Sequence, residues 1–412
     1  MKYCLSILFC IPVLHAAIGL RAGVSRIDIT PPPGHAMGGY SERKAPASGT
    51  HDPLYATVLV LEYGSERLAL VTCDLRSFTS TRVGEMAKRQ YGITHTIISS
   101  SHTHSGPVTW EAPTPWYRET ENAMAAAIGE AAQGLFPASV GIAAGPVYLG
   151  FNRRKVENGR ARMMWRNAEK LPSRPQDPAA TVLVIHDDQD APRAVLVHYA
   201  CHPSVLGPDN LQYSADYPGA MRHYLEEQIP GALSFFVPGA AGDINPYRDK
   251  EPVAGAGFAA MEEMGQALGM QALELYTRAR RLPAPVLKAA SEVVEVKQRW
   301  KPEQRMSIGM TTGVIGPFVC FVALPGEPFV EHQLTFSAKS ECPFALVFGY
   351  SYSAGGVWAG YLPTIQAAVE GGYGADYNTT AEVGAGEMLV DRGVVRSFEL
   401  RGLLKDLPDP RY

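Results

Sequence analysis

The chain has 412 residues, 46% hydrophobic and 19% charged, which is ample material for a buried core and too apolar for disorder. Lys and Arg total 37 against 41 Asp and Glu; the net charge of -4 offers no electrostatic footprint for nucleic acid or an anionic membrane surface. Frequent Gly (40) and Pro (32) exclude a coiled coil and a helical repeat array.

In chain order, Met1-Lys2 gives a short basic start, the run 5–14 is apolar apart from Ser6, Cys10 and Pro12, and small residues Ala16, Ala17 and Gly19 follow. That is the pattern of a secretory signal peptide over residues 1–19, so the protein is expected to be secreted or periplasmic. A buried first strand or helix is the competing reading. No later run approaches the ~20 apolar residues of a membrane span. Residues 56–63 and 67–75 read as a hairpin across Gly64-Ser65-Glu66, 79–90 as a helix, 94–101 as a strand and 119–134 as an alanine-rich helix. The stretch 140–150 looks extended, and 153–166 reads as a basic, polar loop. A second strand pair covers 181–186 and 194–200. Then come a helix at 218–228, a strand at 233–237 and a long helix at 255–279. Strands at 317–324 and 344–350 flank a helix at 329–339. Mixed strands alternating with helices predict a layered α/β sandwich with mixed sheets. With no repeat and no linker, residues 20–412 read as one catalytic domain. Cys73, Cys201 and Cys320 lie in or beside apolar runs and read as core thiols.

Polar residues gather where apolar strands end. Strand 94–101 runs into Ser101-His102-Thr103-His104-Ser105-Gly106-Pro107, strand 194–200 into Cys201-His202-Pro203-Ser204, strand 233–237 into Gly242-Asp243-Ile244-Asn245-Pro246, and strand 317–324 into Pro325-Gly326-Glu327-Pro328. If the strands are parallel neighbours, these loops converge at the carboxyl ends of the sheet, where α/β proteins build sites. In extended geometry His102 and His104 point to one side. Two imidazoles, His202 and Glu327 make a ligand set for a catalytic zinc. Taken alone, the HxH pair is equally a solvated turn or a satisfied core pair, and His202 alone a structural residue. No G-x-S-x-G elbow, phosphate-binding loop or dinucleotide fingerprint is present.

The opening Ala22-Gly23-Val24-Ser25-Arg26-Ile27-Asp28-Ile29-Thr30-Pro31-Pro32 resembles that of the neutral/alkaline, non-lysosomal ceramidase family. So do Ser101 to Pro107, Asn152-Arg153, Cys201 to Pro203, Ser214 to Gly219, Gly242 to Pro246, Leu324 to Glu327 and Gly360 to Thr364, in the family's order. The resemblance implies a zinc amidase that cleaves the N-acyl bond of ceramide. It puts Zn2+ on His102, His202, Glu327 and Tyr361, makes His104 the acid or base beside the metal, and makes Arg153 a substrate-polarising cation. Two departures bear on the substrate. Where the family carries a serine proposed to act in catalysis, this chain has Asn245, which can donate a hydrogen bond but is no nucleophile. Family members also carry a C-terminal β-sandwich domain for which this chain ends too soon.

The expected chemistry is attack of metal-activated water on an amide carbonyl. Arg153, Asn245 or both would stabilise the oxyanion, His104 would protonate the leaving amine, and Asp243 would hold its loop through backbone N–H groups. The expected partner is a small N-acyl molecule, lipids among them, with a compact soluble amide preferred over ceramide; Met163-Met164-Trp165 either lines a compact acyl pocket or packs as core under its loop. The alternatives are a metal-dependent ester or lactone hydrolase on the same site, and an exported binding protein without turnover.

Overall fold

The structure, a computed structural model, describes residues 19–111 and 113–404. Residues 1–18 of the expected signal peptide lie outside it. Three mixed sheets carry the fold. A six-stranded sheet is ordered Ser351–Ser353, His95–Ser100, Glu66–Cys73, Tyr55–Tyr63, Arg21–Asp28 and Phe136–Pro137. A five-stranded sheet runs Leu233–Pro238, Pro192–Tyr199, Ala179–His186, Ser139–Pro146 and Arg280–Arg281. A four-stranded sheet runs Leu287–Gln298, Lys301–Ile315, Val319–Ala323 and Phe344–Phe348.

The central strands are apolar on both faces because both faces are covered, whereas Leu287–Gln298 and the start of Lys301–Ile315 are more polar and more exposed. Leu59, Leu61, Leu183, Ile185, Leu196, Phe321 and Phe348, drawn from all three sheets, share one central core. Alternate residues face outward onto helices. Val58 and Val60 pack with Val83 and Met124 of helices Thr81–Tyr91 and Pro115–Gln133. Val182 and Val184 pack with Met221 and Leu268 of helices Tyr217–Gln228 and Gly257–Thr277. Val322 and Val347 pack with Phe336 and Leu389 of helices Val330–Ser340 and Ala385–Arg401. The layered α/β expectation holds. Among the described residues no helix is long and apolar enough to cross a membrane.

Each sheet contains one parallel pair: Glu66–Cys73 with His95–Ser100, Pro192–Tyr199 with Leu233–Pro238, and Val319–Ala323 with Phe344–Phe348. The four site loops therefore do not follow four neighbouring strands of one sheet. They follow parallel strands in three sheets, and it is the packing of the sheets about the shared core that brings them together. The stretch 153–166 is not a loop throughout. Arg154–Glu157 pairs with Arg160–Met163 across Asn158 and Gly159, which both take positive φ (52° and 73°). An Asn-Gly pair at those positions favours the turn type that matches strand twist.

Candidate metal centre and substrate cavity

His102 stands just past the strand His95–Ser100 with its backbone in the left-handed region, φ 69°. The extended geometry expected for the HxH pair is therefore absent. His102 N–H donates to the Leu75 carbonyl at 2.9 Å and Ser101 N–H to the Cys73 carbonyl at 2.8 Å, which hold the turn. Left-handed backbone outside glycine is strained and concentrates at functional sites. The two rings still reach one place, 5.2 Å apart and inclined at 68°.

His102 Nδ1 lies 2.7 Å from the Arg76 carbonyl, and His202 Nδ1 lies 2.6 Å from that of Ala241. A carbonyl only accepts, so each Nδ1 carries the proton and each Nε2 presents a lone pair. Both Nε2 atoms lie 3.3 Å from Glu327 Oε2. All three atoms are buried and, among the described residues, without a hydrogen-bond partner. Tetrahedral bonds of about 2.0–2.1 Å from nitrogen or oxygen to zinc separate ligand atoms by about 3.3–3.4 Å. Three buried, orphaned lone-pair atoms at that spacing can hold a divalent cation. Nitrogens of His102, His104 and His202 also lie within 4.8 Å of one another, so proximity alone admits His104 to the group. The carboxylate has the stronger claim, because it supplies negative charge and sits at ligand spacing from both other donors.

Burial pushes the His202 imidazolium down to about 4, against the pull of Glu327, so the ring is neutral at pH 7. Burial also holds His104 well below the ordinary histidine value, reinforced by His102, His202 and Arg76. For Glu327, burial alone would raise the carboxyl, but His102, His202 and Arg76 outweigh it and hold it well below the usual range.

Glu327 and Tyr361 are register partners in a short parallel pair. The Tyr361 hydroxyl accepts from Arg153 Nη2 at 3.2 Å, and burial together with Glu327 holds the phenol well above its ordinary value. Arg153 Nη2 also donates to the Gly242 carbonyl at 2.6 Å, and Nη1 to Asn245 Oδ1 at 3.0 Å. Burial opposes the Arg153 charge, but Tyr361, Tyr373 and Glu327 more than compensate and raise its pKa. Asn245 Nδ2 donates in turn to Asp249 at 3.0 Å. Asp243 accepts from the Val330 N–H at 2.9 Å and from Asn152 at 2.7 Å, the loop-holding position expected of it.

The residues expected at the site thus lie together, and sequence reasoning passed over four neighbours. The Tyr350 ring is 4.3 Å from His102, and its buried hydroxyl has no hydrogen-bond partner among the described residues. Arg76 Nη2 lies 3.6 Å from Glu327 Oε1. Asp249 and Lys250 form an ion pair beside Asn245. Tyr350 and Arg76 each sit just beyond a strand, the same signal that marks the histidines, but without a motif to single them out.

A cavity of about 600 Å³ opens over the site, lined by His104, Arg153, Arg76, Lys250, Tyr40 and Trp165 among others. Of the cluster Met163-Met164-Trp165, Trp165 lines this cavity. Gly39 also borders it at φ 102°, where an added Cβ would come within 2.5 Å of His104 Cβ.

The family model described as neutral/alkaline non-lysosomal ceramidase, N-terminal, matches residues 20–260. The chain belongs to that family. Neutral ceramidase from Pseudomonas aeruginosa, a crystal structure, shares its fold with TM-score 0.74 and 16% identity, over 94% of this chain and 75% of that one. A ceramidase complexed with C2 matches with TM-score 0.74 and 16% identity, over 95% and 77%. No curated protein matches the chain. At such identity the structural likeness speaks for the ceramidase fold alone. The match to residues 20–260 takes in His102, His104, Arg153, His202 and Asn245, whereas Glu327 and Tyr361 lie beyond it and join the site through the fold.

Proposed function

We propose that this ceramidase-family protein is a zinc-dependent amidohydrolase that cleaves an N-acyl bond. The observation that carries the reading is the trio of buried donors on His102, His202 and Glu327, unpartnered among the described residues, at ligand spacing beside two open cavities. The name shared by the family and its solved members, ceramidase, supports the amide as the bond attacked.

Zinc bound there would polarise a carbonyl and lower the pKa of water toward 7. The protein's own groups do the rest. Arg153, fixed by Asn245, Gly242 and Tyr361, holds a permanent positive charge where the carbonyl oxygen becomes negative. His104 is neutral at pH 7, so it first takes a proton from the attacking water and then returns it to the leaving nitrogen. Asn245 acts chiefly by orienting Arg153, since its side-chain oxygen faces that guanidinium and its NH2 faces Asp249. Tyr361 is the fourth ligand of this reading, and the bound cation would have to displace the proton that burial holds on its phenol. The expected signal peptide over residues 1–19 supports export. Cavities of about 600 and 540 Å³ beside the site favour a compact N-acyl amide over a sphingolipid.

The test pairs metal analysis with a matched amide and ester of one acyl chain. The expected result is one zinc per chain, and amide turnover that a chelator abolishes and zinc restores. Turnover that survives chelation overturns the metal role; cleavage of the ester alone replaces the amidase with an esterase.

A further inference from the structure

The geometry points to a substrate whose amine half carries an anion, a carboxylate or a group of like charge, recognised by Lys250 together with Arg76. This deepens the amidohydrolase reading and rests on it.

The site opens into two arms. The first, of about 600 Å³, contains His104, the group that returns a proton to the leaving nitrogen, and so belongs to the amine half of the substrate. The second, of about 540 Å³, contains Glu327, Trp110, Trp300 and Trp358, with Arg76 as its one cation. Its indole faces and threonines suit an uncharged acyl group.

The first arm is lined by three cations, Arg76, Arg153 and Lys250, against the carboxylate of Glu42. Glu42 is exposed and makes no ion pair among the described residues. The Arg76 guanidinium makes no hydrogen bond among the described residues, its Nε is buried, and it rests 4.9 Å over the Trp110 ring. Its nearest carboxylate is Glu327 at 3.6 Å, and a divalent cation held by Glu327 would take up that charge. Arg153 Nε is likewise buried and unpaired. Lys250 is paired with Asp249 and lies 5.3 Å over Trp165. Asp249 is already shared with Ser204 and Asn245, and an ammonium has further donors to offer. A neutral amine in this arm would cover the Arg76 guanidinium and leave it without a hydrogen bond, and a covered charge without a partner is costly. An anion two or three bonds from the leaving nitrogen would give Arg76 and Lys250 an acceptor, while Arg153 stays with the carbonyl oxygen.

The experiment uses the zinc-loaded enzyme and three substrates that differ at one end only: N-hexanoyl-β-alanine, its uncharged β-alaninamide analogue, and the cationic N-hexanoyl-1,3-diaminopropane. The anionic substrate should exceed the neutral one in kcat/KM by roughly tenfold or more, chiefly through KM, as charge-assisted hydrogen bonds provide. The cationic one should be worst, and raising ionic strength should narrow the differences. Lys250→Gln should lower the anionic-to-neutral ratio and Lys250→Arg should retain it. A ratio near one, or a preference for the neutral or cationic amide, overturns the inference and leaves the amidohydrolase reading standing. Failure to cleave any of the three, or other simple amides, overturns that reading and this inference with it.

Discussion

Asn245 accepts a hydrogen bond from Arg153 at 3.0 Å and donates one to Asp249 at 3.0 Å, so a single amide ties the site's buried cation to a buried carboxylate. The donor and acceptor ends of the amide are fixed by their neighbours, since a guanidinium cannot accept and an ionised carboxylate cannot donate. Replacing Asn245 with Ala should free Arg153 while leaving the metal donors alone. The expected result is a fall in kcat of about tenfold to a hundredfold, below the loss of a direct oxyanion donor, with zinc content unchanged. Loss of zinc in Asn245→Ala would show that Asn245 supports the metal donors and does not merely orient Arg153.

His202 and His104 separate the metal role from the proton-transfer role. His202→Ala removes a donor whose tautomer is set by the Ala241 carbonyl, and should lose both zinc and nearly all turnover. His104→Ala should keep zinc and lose about 10²-fold or more in kcat, the range for general acid–base groups. Metal content of the two purified variants decides the matter. Zinc loss from His104→Ala would place His104 in the ligand set, which its proximity to the other two histidines allows.

Gly39 offers a way to move His104 without deleting it. Its φ of 102° disfavours any side chain, and a Cβ would meet His104 Cβ and Cα at 2.5 and 2.7 Å. Gly39→Ala should lower kcat by about tenfold or more with zinc retained, because small displacements of a catalytic group are amplified in rate. Wild-type turnover in this variant would mean that the loop yields and that the position of His104 tolerates it.

The sequence exposed this site through a rule about where residues sit, and that rule held for a reason other than the one it assumes. His102, His202, Asn245 and Glu327 each follow an apolar strand, and apolar strands are easy to read because both their faces are buried. What sequence could not carry was the partnership of strands. Convergence comes from three sheets packed on one core, contacts made between residues hundreds apart. The left-handed backbone at His102 was hidden likewise, since tertiary hydrogen bonds from His102 to Leu75 and from Ser101 to Cys73 impose it. The helix Ala385–Arg401 was passed over because Gly386 and Gly393 interrupt its pattern. The hairpin after Arg153 had a signal, Asn158-Gly159, obscured by its polar composition. Arg76 and Lys250 are isolated cations in sequence, and acquire meaning only as walls of one cavity.

Stability should also carry a pH signature from a residue near the site. Asp216 is fully buried and caps the helix Tyr217–Gln228, accepting from the N–H groups of Tyr217, Leu206 and Val205. Burial raises its carboxyl to about 7 despite those hydrogen bonds. In the unfolded chain the group titrates near its ordinary value of about 3.9. Between these values the folded state binds a proton that the unfolded state does not, so stability falls as pH rises from about 4 to 7. Above pH 7 both states are ionised and this contribution is constant, with a loss on the order of 4 kcal/mol at full extent. Asp52 is raised to about 6 by burial and adds to the same slope. Asp216→Asn keeps an acceptor for the helix cap but cannot ionise. The measurement is ΔG of unfolding by denaturant at several pH values for both proteins. The variant should be destabilised at pH 5, where an acceptor is lost, and should show a shallower fall toward pH 8. An unchanged slope would mean that Asp216 is already ionised at pH 5 and that its three backbone donors outweigh its burial.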